Sequence, residues 1–322
     1  MFLPTLAQLD AAADTVYGAM PPTPQYSWPL LNEALGATAW IKHENHTPAA
    51  AFKVRGGLVY MSRLRSRIPD VKGVITATRG NHGTSIAFAS QRHGIPATIV
   101  VPHGNSPEKT NAMRSFGAKV IEAGSEFQEA REFAQELAQR EGLHMLPSFH
   151  HDLVAGVASY WLELFRAHPE IERVFVPVGQ GSGICAAIAA RQAMGLKTRI
   201  IGVVSAHALA YKLSFAARRA VDSPVTTVVA DGMACRVPDP ASLDAIFEFA
   251  DDIVSVTDDE VARAMRLYYR STHNLAEGAG ASALAAAMQL KDTPLVKGRT
   301  LGLPLTGGNV DADLFRRILQ GD

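Results

Sequence analysis

Cysteine is almost missing from this chain. There are two, Cys185 and Cys235, far apart and in no CxxC pair. That excludes a disulfide framework and the usual structural zinc spacings. An excess of one charge is also missing: Lys and Arg number 31, and so do Asp and Glu. A chain without a basic excess is a poor binder of phosphate backbones, so no nucleic-acid partner is expected. Long hydrophobic runs are absent too. The longest, such as 279–288, are about ten residues and rich in alanine, whereas a membrane span needs roughly 20. The N-terminus has no basic segment leading into an apolar one, and Asp10 and Asp14 come early. The expectation is a soluble cytoplasmic protein with no membrane partner. No internal repeat and no low-complexity segment stands out.

What is present is ample core material. Hydrophobic residues make up 47% and charged residues 19%, the reverse of the balance that keeps a chain disordered. At ~100–200 residues per domain, 322 residues imply about two domains or one large one. Strand-like and helix-like segments alternate. A short strand is predicted at 38–42, a buried strand at 71–78, a turn at 80–83 and a helix at 85–93. Strand 96–102, helix 107–116, strand 118–123 and a long amphipathic helix at 125–141 follow. Turn formers around Pro147 and Ser148 mark a break. The rhythm then restarts with strand 173–178, a glycine-rich turn, helix 184–194 and strand 198–204. Helices at 258–269 and 279–290 and a last strand at 300–305 complete it. This is the βαβ pattern of parallel sheets covered on both faces, an α/β fold.

Four features lie in turns or just after predicted strands, where open α/β sheets bind ligands. The turn Gly179-Gln180-Gly181-Ser182-Gly183 opens a helix. Its backbone N–H groups and the helix dipole suit a phosphate, although a tight strand–helix turn alone would also use glycine. A dinucleotide loop is disfavoured by the GxGxG spacing and by Ser205 at the end of the next strand, and a Walker loop lacks its Lys-Ser/Thr. Lys53 follows the apolar run Ala49-Ala50-Ala51-Phe52. Desolvation would make it a nucleophile and base, while an isolated lysine is ordinarily a helix-surface residue. The turn Thr78-Arg79-Gly80-Asn81-His82-Gly83 could receive a carboxylate or merely cap a helix. Thr306-Gly307-Gly308-Asn309 fits either a close approach to a ligand or a terminal turn.

In combination the four features resemble one family. A lysine after Ala-Phe, a Gly-Asn-His turn, a glycine-rich loop and a late Thr-Gly-Gly-Asn turn occur in this order in the fold-type II, pyridoxal-phosphate-dependent serine/threonine dehydratases, which include serine racemase. The resemblance runs from Pro21-Pro22-Thr23-Pro24 to Val310, with further matches at Trp40-Ile41-Lys42-His43-Glu44-Asn45, Asp231-Gly232-Met233-Ala234, Val256-Thr257-Asp258-Asp259-Glu260 and Glu277-Gly278-Ala279-Gly280-Ala281. It implies a tryptophan synthase β-like fold of two parallel-sheet domains with pyridoxal 5'-phosphate between them. Residues 1–48 and 149–322 would form the large domain and 49–148 a small mobile one. Lys53 would hold the cofactor as a Schiff base, Phe52 would pack near its ring and Asn81 would meet the ring hydroxyl. Gly179, Gln180, Gly181, Ser182 and Gly183 would hold the phosphate, and Thr306 would face the pyridine nitrogen. Thr78, Arg79, Gly80, Asn81 and His82 would receive the substrate carboxylate. A hydroxyl cannot protonate the pyridine as an Asp would, which favours prompt β-elimination, with the freed Lys53 as general base.

Three departures from the family pattern bear on function. Arg79 stands where racemases carry a serine that works as acid/base on the far face of the cofactor. Arginine stays protonated, so racemisation is not expected, and Arg79 could instead bind a second carboxylate. The stretch Ser205-Ala206-His207-Ala208-Leu209-Ala210 lacks the carboxylates that hold a divalent metal in some members, so no metal is expected. The usual four-glycine loop is Gly179-Gln180-Gly181-Ser182 here, and Ser182 can add a hydroxyl to the backbone donors. His43, His46, His144, His150 and His151 lack ligand spacing on one predicted helix face and read as structural or surface residues. Only about 13 residues follow Asn309, which leaves no room for a C-terminal regulatory domain and points to a catabolic enzyme. The expected reaction is dehydration and deamination of a β-hydroxy amino acid to a 2-oxo acid and ammonia. Threonine or serine is the default substrate, and a 3-hydroxyaspartate or phenylserine the less common one. The alternatives are elimination or replacement on another leaving group, or a non-catalytic binder of cofactor or amino acid. A homodimer is implied by the family.

Overall fold

A computed structural model describes residues 3–321. Among them ten strands make two sheets: β1 (Gln25–Ser27), β2 (Thr38–His43), β3 (Val74–Ala77), β4 (Ala97–Val101), β5 (Lys119–Glu122), β6 (His144–Met145), β7 (Arg173–Pro177), β8 (Arg199–Ser205), β9 (Asp252–Val256) and β10 (Thr300–Leu305). The larger sheet has the order β1-β2-β10-β7-β8-β9 and is parallel apart from β1, which runs antiparallel to β2 at the edge. The smaller, β5-β4-β3-β6, is parallel throughout. The chain leaves the larger sheet after β2, builds the smaller one and returns at β7. All residues of β3 and all but the first of β10 are buried, as strands covered on both faces require. No helix among the described residues is long and apolar enough to cross a membrane.

Local chemistry starts and stops the helices where the residues allow. Ser106 caps helix Pro107–Ser115 by accepting from the Lys109 N–H, with proline at the first helical position. Thr257 and Glu260 form a reciprocal capping box at helix Asp258–Thr272. Gly94 and Gly142 end helices Asn81–His93 and Phe127–Glu141 in the left-handed conformation. Two helices start earlier than the sequence predicts. Asn81–Gly83, expected as a turn, is the first turn of Asn81–His93, and Ser182 and Gly183 open helix Ser182–Ala193. First-turn N–H groups have no intrahelical partner, so polar and glycine residues suit a helix start as well as a turn.

Helix Lys53–Arg67 and helix His151–Ala167 pack backbone to backbone. A Cβ on Gly156 would lie 2.2 Å from the Arg55 carbonyl oxygen, and one on Gly56 would lie 2.8 Å from that of Leu153. Helix His151–Ala167 carries fully buried Tyr160, Trp161 and Phe165. Beneath this crossing lies a buried ionic cluster. Arg55 grips Glu44 through Nε at 2.7 Å and Nη2 at 3.0 Å, and Glu163 through Nη1 at 2.6 Å and Nη2 at 3.1 Å. Lys42 adds a contact to Glu163 at 2.5 Å. Burial opposes each charge, but Glu44 and Glu163 outweigh it and raise the Arg55 pKa, while Arg55 and Lys42 hold that of Glu163 below its usual value.

Candidate active site

Lys53 is the first residue of helix Lys53–Arg67. The segment before it is tied to the turn after β10. The Phe52 N–H donates to the Thr306 carbonyl at 2.9 Å, the Gly308 N–H donates to the Ala50 carbonyl at 2.9 Å, and Asn309 Nδ2 donates to the Ala49 carbonyl at 2.9 Å. Two of the four motifs thus meet although β10 lies at the far end of the chain. On the other side Ser85 Oγ donates to the Lys53 carbonyl at 2.6 Å, which brings in the helix that Asn81 opens. Lys53 Nζ lies 5.1 Å from the centre of the Phe52 ring. Burial lowers the Lys53 pKa to about 8, with Glu277 pulling the other way. A position at a helix N-terminus disfavours the ammonium further. The result is an amine that is roughly a tenth neutral at pH 7, far more than an ordinary lysine, as a nucleophile or base requires.

The glycine loop lies between β7 and helix Ser182–Ala193. Gly181 has φ of +93°, and a Cβ there would come within 2.5 Å of the Ser242 Cβ. A Cβ on Gly179 would lie 2.5 Å from the Gly232 carbonyl oxygen. Both positions therefore demand glycine. Gln180 Nε2 donates to Cys235 Sγ at 3.5 Å, and Ser182 is buried. Among the described residues nothing accepts from the backbone N–H of Gln180, Gly181, Ser182 or Gly183. The Cβ position of Gly183 has no neighbour closer than 3.6 Å, and the Phe52 ring lies 3.8 Å away. Open donors thus lie beside the ring that precedes Lys53, a cradle for an anion.

The Gly80–His82 turn lies beyond the end of β3. Thr78 is buried and its Oγ1 accepts from the Gly80 N–H at 3.0 Å. Arg79 is exposed and makes no ion pair among the described residues. Asn81 donates through Nδ2 to Glu277 Oε1 at 2.6 Å and accepts through Oδ1 from Asn309 Nδ2 at 2.7 Å. His82 keeps its Nε2 buried without a partner among the described residues, and burial together with the Lys53 charge lowers its pKa to about 3. Thr306 is buried, and its hydroxyl has no partner among the described residues.

Sequence reasoning assigned no role to three charged residues here. Glu277 is buried, and burial, with Asp231 nearby, raises its pKa to about 7 against the pull of Lys109, Asn81 and Lys53. Lys109 reaches Asp231 at 2.5 Å and passes over Gly80, where a Cβ would be 3.1 Å from Lys109 Cδ. Burial works to lower the Lys109 pKa, but Asp231 and Glu277 outweigh it and raise it. The available signal was a single acid in the otherwise apolar run Leu275-Ala276-Glu277-Gly278-Ala279-Gly280. The histidine reading needs a correction. His150, His151 and Asp152 do converge, with ligand atoms within 4.8 Å of one another. Sequence spacing hides this because the three are consecutive at a helix start. Both Asp152 oxygens already face guanidiniums, Arg63 at 2.6 Å and Arg67 at 2.7 Å, which makes a poor cation site. A cavity of about 620 Å³ borders this cluster and Arg63, apart from Lys53 and the glycine loop.

A sequence profile described as "Pyridoxal-phosphate dependent enzyme" matches residues 16–307. The chain belongs to this family. It is 35% identical over 290 residues to the L-threonine ammonia-lyase of Geobacter sulfurreducens, covering 90% of this chain and 71% of that protein. With the biosynthetic L-threonine dehydratase of Salmonella typhimurium identity is 34% over 308 residues, 95% of this chain but 59% of the relative's length. The processed threonine deaminase isoform 2 of Solanum lycopersicum superposes with a TM-score of 0.90 at 28% identity, covering 99% of this chain and 96% of that one. Maize serine racemase superposes at 0.92 with 24% identity over 99% and 98% of the two chains, a likeness of fold. The chain is thus a fold-type II pyridoxal-phosphate enzyme of the threonine dehydratase group, with the tryptophan synthase β-like fold. Its residues fit the cofactor: an amine of lowered pKa, unbonded N–H groups in a glycine cradle, an unpartnered threonine hydroxyl and an aromatic ring converge on one place.

Proposed function

We propose that this enzyme dehydrates and deaminates a β-hydroxy amino acid, L-threonine or L-serine by default, to a 2-oxo acid and ammonia. The carrying observation is the Lys53 amine of lowered pKa, set among the motifs shared with relatives that are named threonine ammonia-lyases and dehydratases. Pyridoxal phosphate bound through Lys53 supplies the electron sink for cleavage at the substrate α-carbon. Released from it, the Lys53 amine would take the α-proton near neutral pH, and the departing β-hydroxyl would take up a proton in exchange. The free N–H groups of Asn81 and His82 at a helix start orient the substrate carboxylate. Gly179 to Gly183 would hold the cofactor phosphate, the Thr306 hydroxyl would meet the ring nitrogen without protonating it, and Phe52 would border the ring. Water leaves from the β-carbon, and the released enamine hydrolyses to the oxo acid and ammonia. The segment 49–148 would act as a small domain closing over substrate. The enzyme would work in the cytoplasm as a homodimer.

Arg79 favours a second reading of the substrate. It is an exposed guanidinium without an ion-pair partner among the described residues, on the turn that would receive the carboxylate, so a substrate with a second carboxylate, such as a 3-hydroxyaspartate, would gain a bidentate contact. The test is 2-oxo acid release by the cofactor-loaded protein. The panel holds both enantiomers of serine and threonine, the 3-hydroxyaspartate diastereomers and phenylserine. Release with threonine or serine that survives Arg79→Ser supports the default. Release confined to hydroxyaspartate and lost in Arg79→Ser supports the second. No release from any overturns both and turns the search to other leaving groups.

A further inference from the structure

The Asn81 amide has partners on both sides that allow it one orientation. Asn309 Nδ2 donates to the Ala49 carbonyl at 2.9 Å and to Asn81 Oδ1 at 2.7 Å. A carbonyl only accepts, so the Asn309 amide has its nitrogen fixed there and offers Asn81 a donor. On the opposite side Glu277 Oε1 lies 2.6 Å from Asn81 Nδ2, and above a pH of about 7, where its carboxyl is ionised, it only accepts. Turning the Asn81 amide over would set oxygen against carboxylate oxygen and nitrogen against nitrogen. Both hydrogen bonds would be lost. As it stands, Asn81 has spent one of its two N–H donors and keeps the other.

We propose that Glu277 is a positioning residue that locks the Asn81 amide so that an N–H donor, not an oxygen, is left for the cofactor's ring oxygen. This rests on the reading that Asn81 meets that oxygen. Glu277 is costly to keep where it is. It is 4% exposed at the start of a helix of alanine and glycine, and its burial, with Asp231 nearby, works against the carboxylate while Lys109, Asn81 and Lys53 favour it. A buried charge is ordinarily less stabilising than a well-packed apolar group of the same shape. The surroundings also make room for it: a Cβ on Gly307 would lie 2.5 Å from Glu277 Oε1. The turn after β10 thus serves three purposes: it ties down the segment before Lys53, fixes the amide through Asn309, and admits the carboxylate through Gly307.

The test is a double-mutant cycle read by cofactor affinity rather than turnover. Apoprotein is titrated with pyridoxal phosphate at pH 8.5, followed by the visible band, for the parent, Asn81→Ala, Glu277→Gln, Glu277→Leu and the two double variants. Asn81→Ala should weaken binding about 10- to 100-fold, the worth of a hydrogen bond to a charged group. Glu277→Leu removes the acceptor and should approach that loss. Glu277→Gln keeps a neutral acceptor and should lose about 5-fold in excess of its effect in the Asn81→Ala background. Any influence of Glu277 on Lys53 is common to both backgrounds and cancels in the cycle. Should Glu277→Leu not fold, the Gln cycle decides alone. Equal effects of Glu277→Gln with and without the Asn81 amide would overturn the lock. Unchanged affinity in Asn81→Ala would overturn the placement of Asn81 itself, a separate failure.

Discussion

Replacing Arg55 with methionine tests whether the ionic cluster under Lys53 is held together by this one guanidinium. Arg55 and Glu44 are fully buried, Lys42 is 1% exposed and Glu163 7%, so two positive and two negative charges balance in near-complete isolation from water. Arg55 makes a two-pronged contact with each carboxylate and also reaches Ser159 Oγ at 2.9 Å and Thr23 Oγ1 at 3.1 Å. Methionine retains much of the volume but leaves one uncompensated negative charge. Breaking a buried pair from one side costs about 3–5 kcal/mol. At a urea slope of about 3 kcal/mol/M, the unfolding midpoint should fall by about 1–2 M. The partner variant Glu44→Gln should also destabilise, yet the double variant restores a neutral cluster and should cost clearly less than the two singles combined. Urea unfolding followed by far-UV circular dichroism supplies the midpoints. A loss under about 1 kcal/mol for Arg55→Met, or strict additivity in the double variant, would refute the reasoning. Arg55→Lys should not rescue, since an ammonium cannot grip two carboxylates at once.

Three further outcomes follow from the site. Ala50 has φ of +51°, in the left-handed region, while its N–H donates to the Thr47 carbonyl and its own carbonyl accepts from Gly308; Ala50→Gly should gain about 0.5–1 kcal/mol, seen as a higher thermal midpoint, and a loss would show the strain to be absent. Because the Lys53 amine titrates near 8, the rate at which apoprotein captures cofactor should climb as pH rises towards and through 8 and then level; stopped-flow absorbance should find no such rise if Lys53 is an ordinary surface amine. The Glu277 carboxyl has a folded pKa of about 7, above its unfolded value, so its contribution to stability is full at pH 4 and is lost as pH rises through 7. Glu277→Gln should therefore be the more stable protein at pH 8, by up to about 3 kcal/mol, with the gap over the parent shrinking at pH 5. A pH-independent difference would contradict the burial argument.

The parallel sheets were legible because buried strands such as Val74–Ala77 and Thr300–Leu305 are apolar throughout and end at turn formers. Helix His151–Ala167 was not legible in the sequence, because its start lies among the turn formers and histidines that read as a break, yet thirteen of its residues are buried. Strand β9 was missed because Asp252 and Ser255 interrupt its apolar pattern at the sheet edge. The motifs that meet around Lys53 could be read from the sequence because glycines and a lysine in turns are locally unusual. Lys109 and Asp231 could not, because each is distinguished only by the other, more than a hundred residues away, and the lone acid at Glu277 does not name its partner Asn81. The His150, His151 and Asp152 cluster was hidden for the opposite reason, adjacency in sequence without a repeat to mark it.

The central claim is that Lys53 carries the cofactor. Borohydride reduction of the cofactor-loaded protein, digestion and mass analysis of the labelled peptide test it directly. The account predicts one phosphopyridoxyl group on Lys53, and a chain with Lys53→Ala that binds cofactor without a covalent label. A label on Lys42, Lys109 or any other lysine would contradict it.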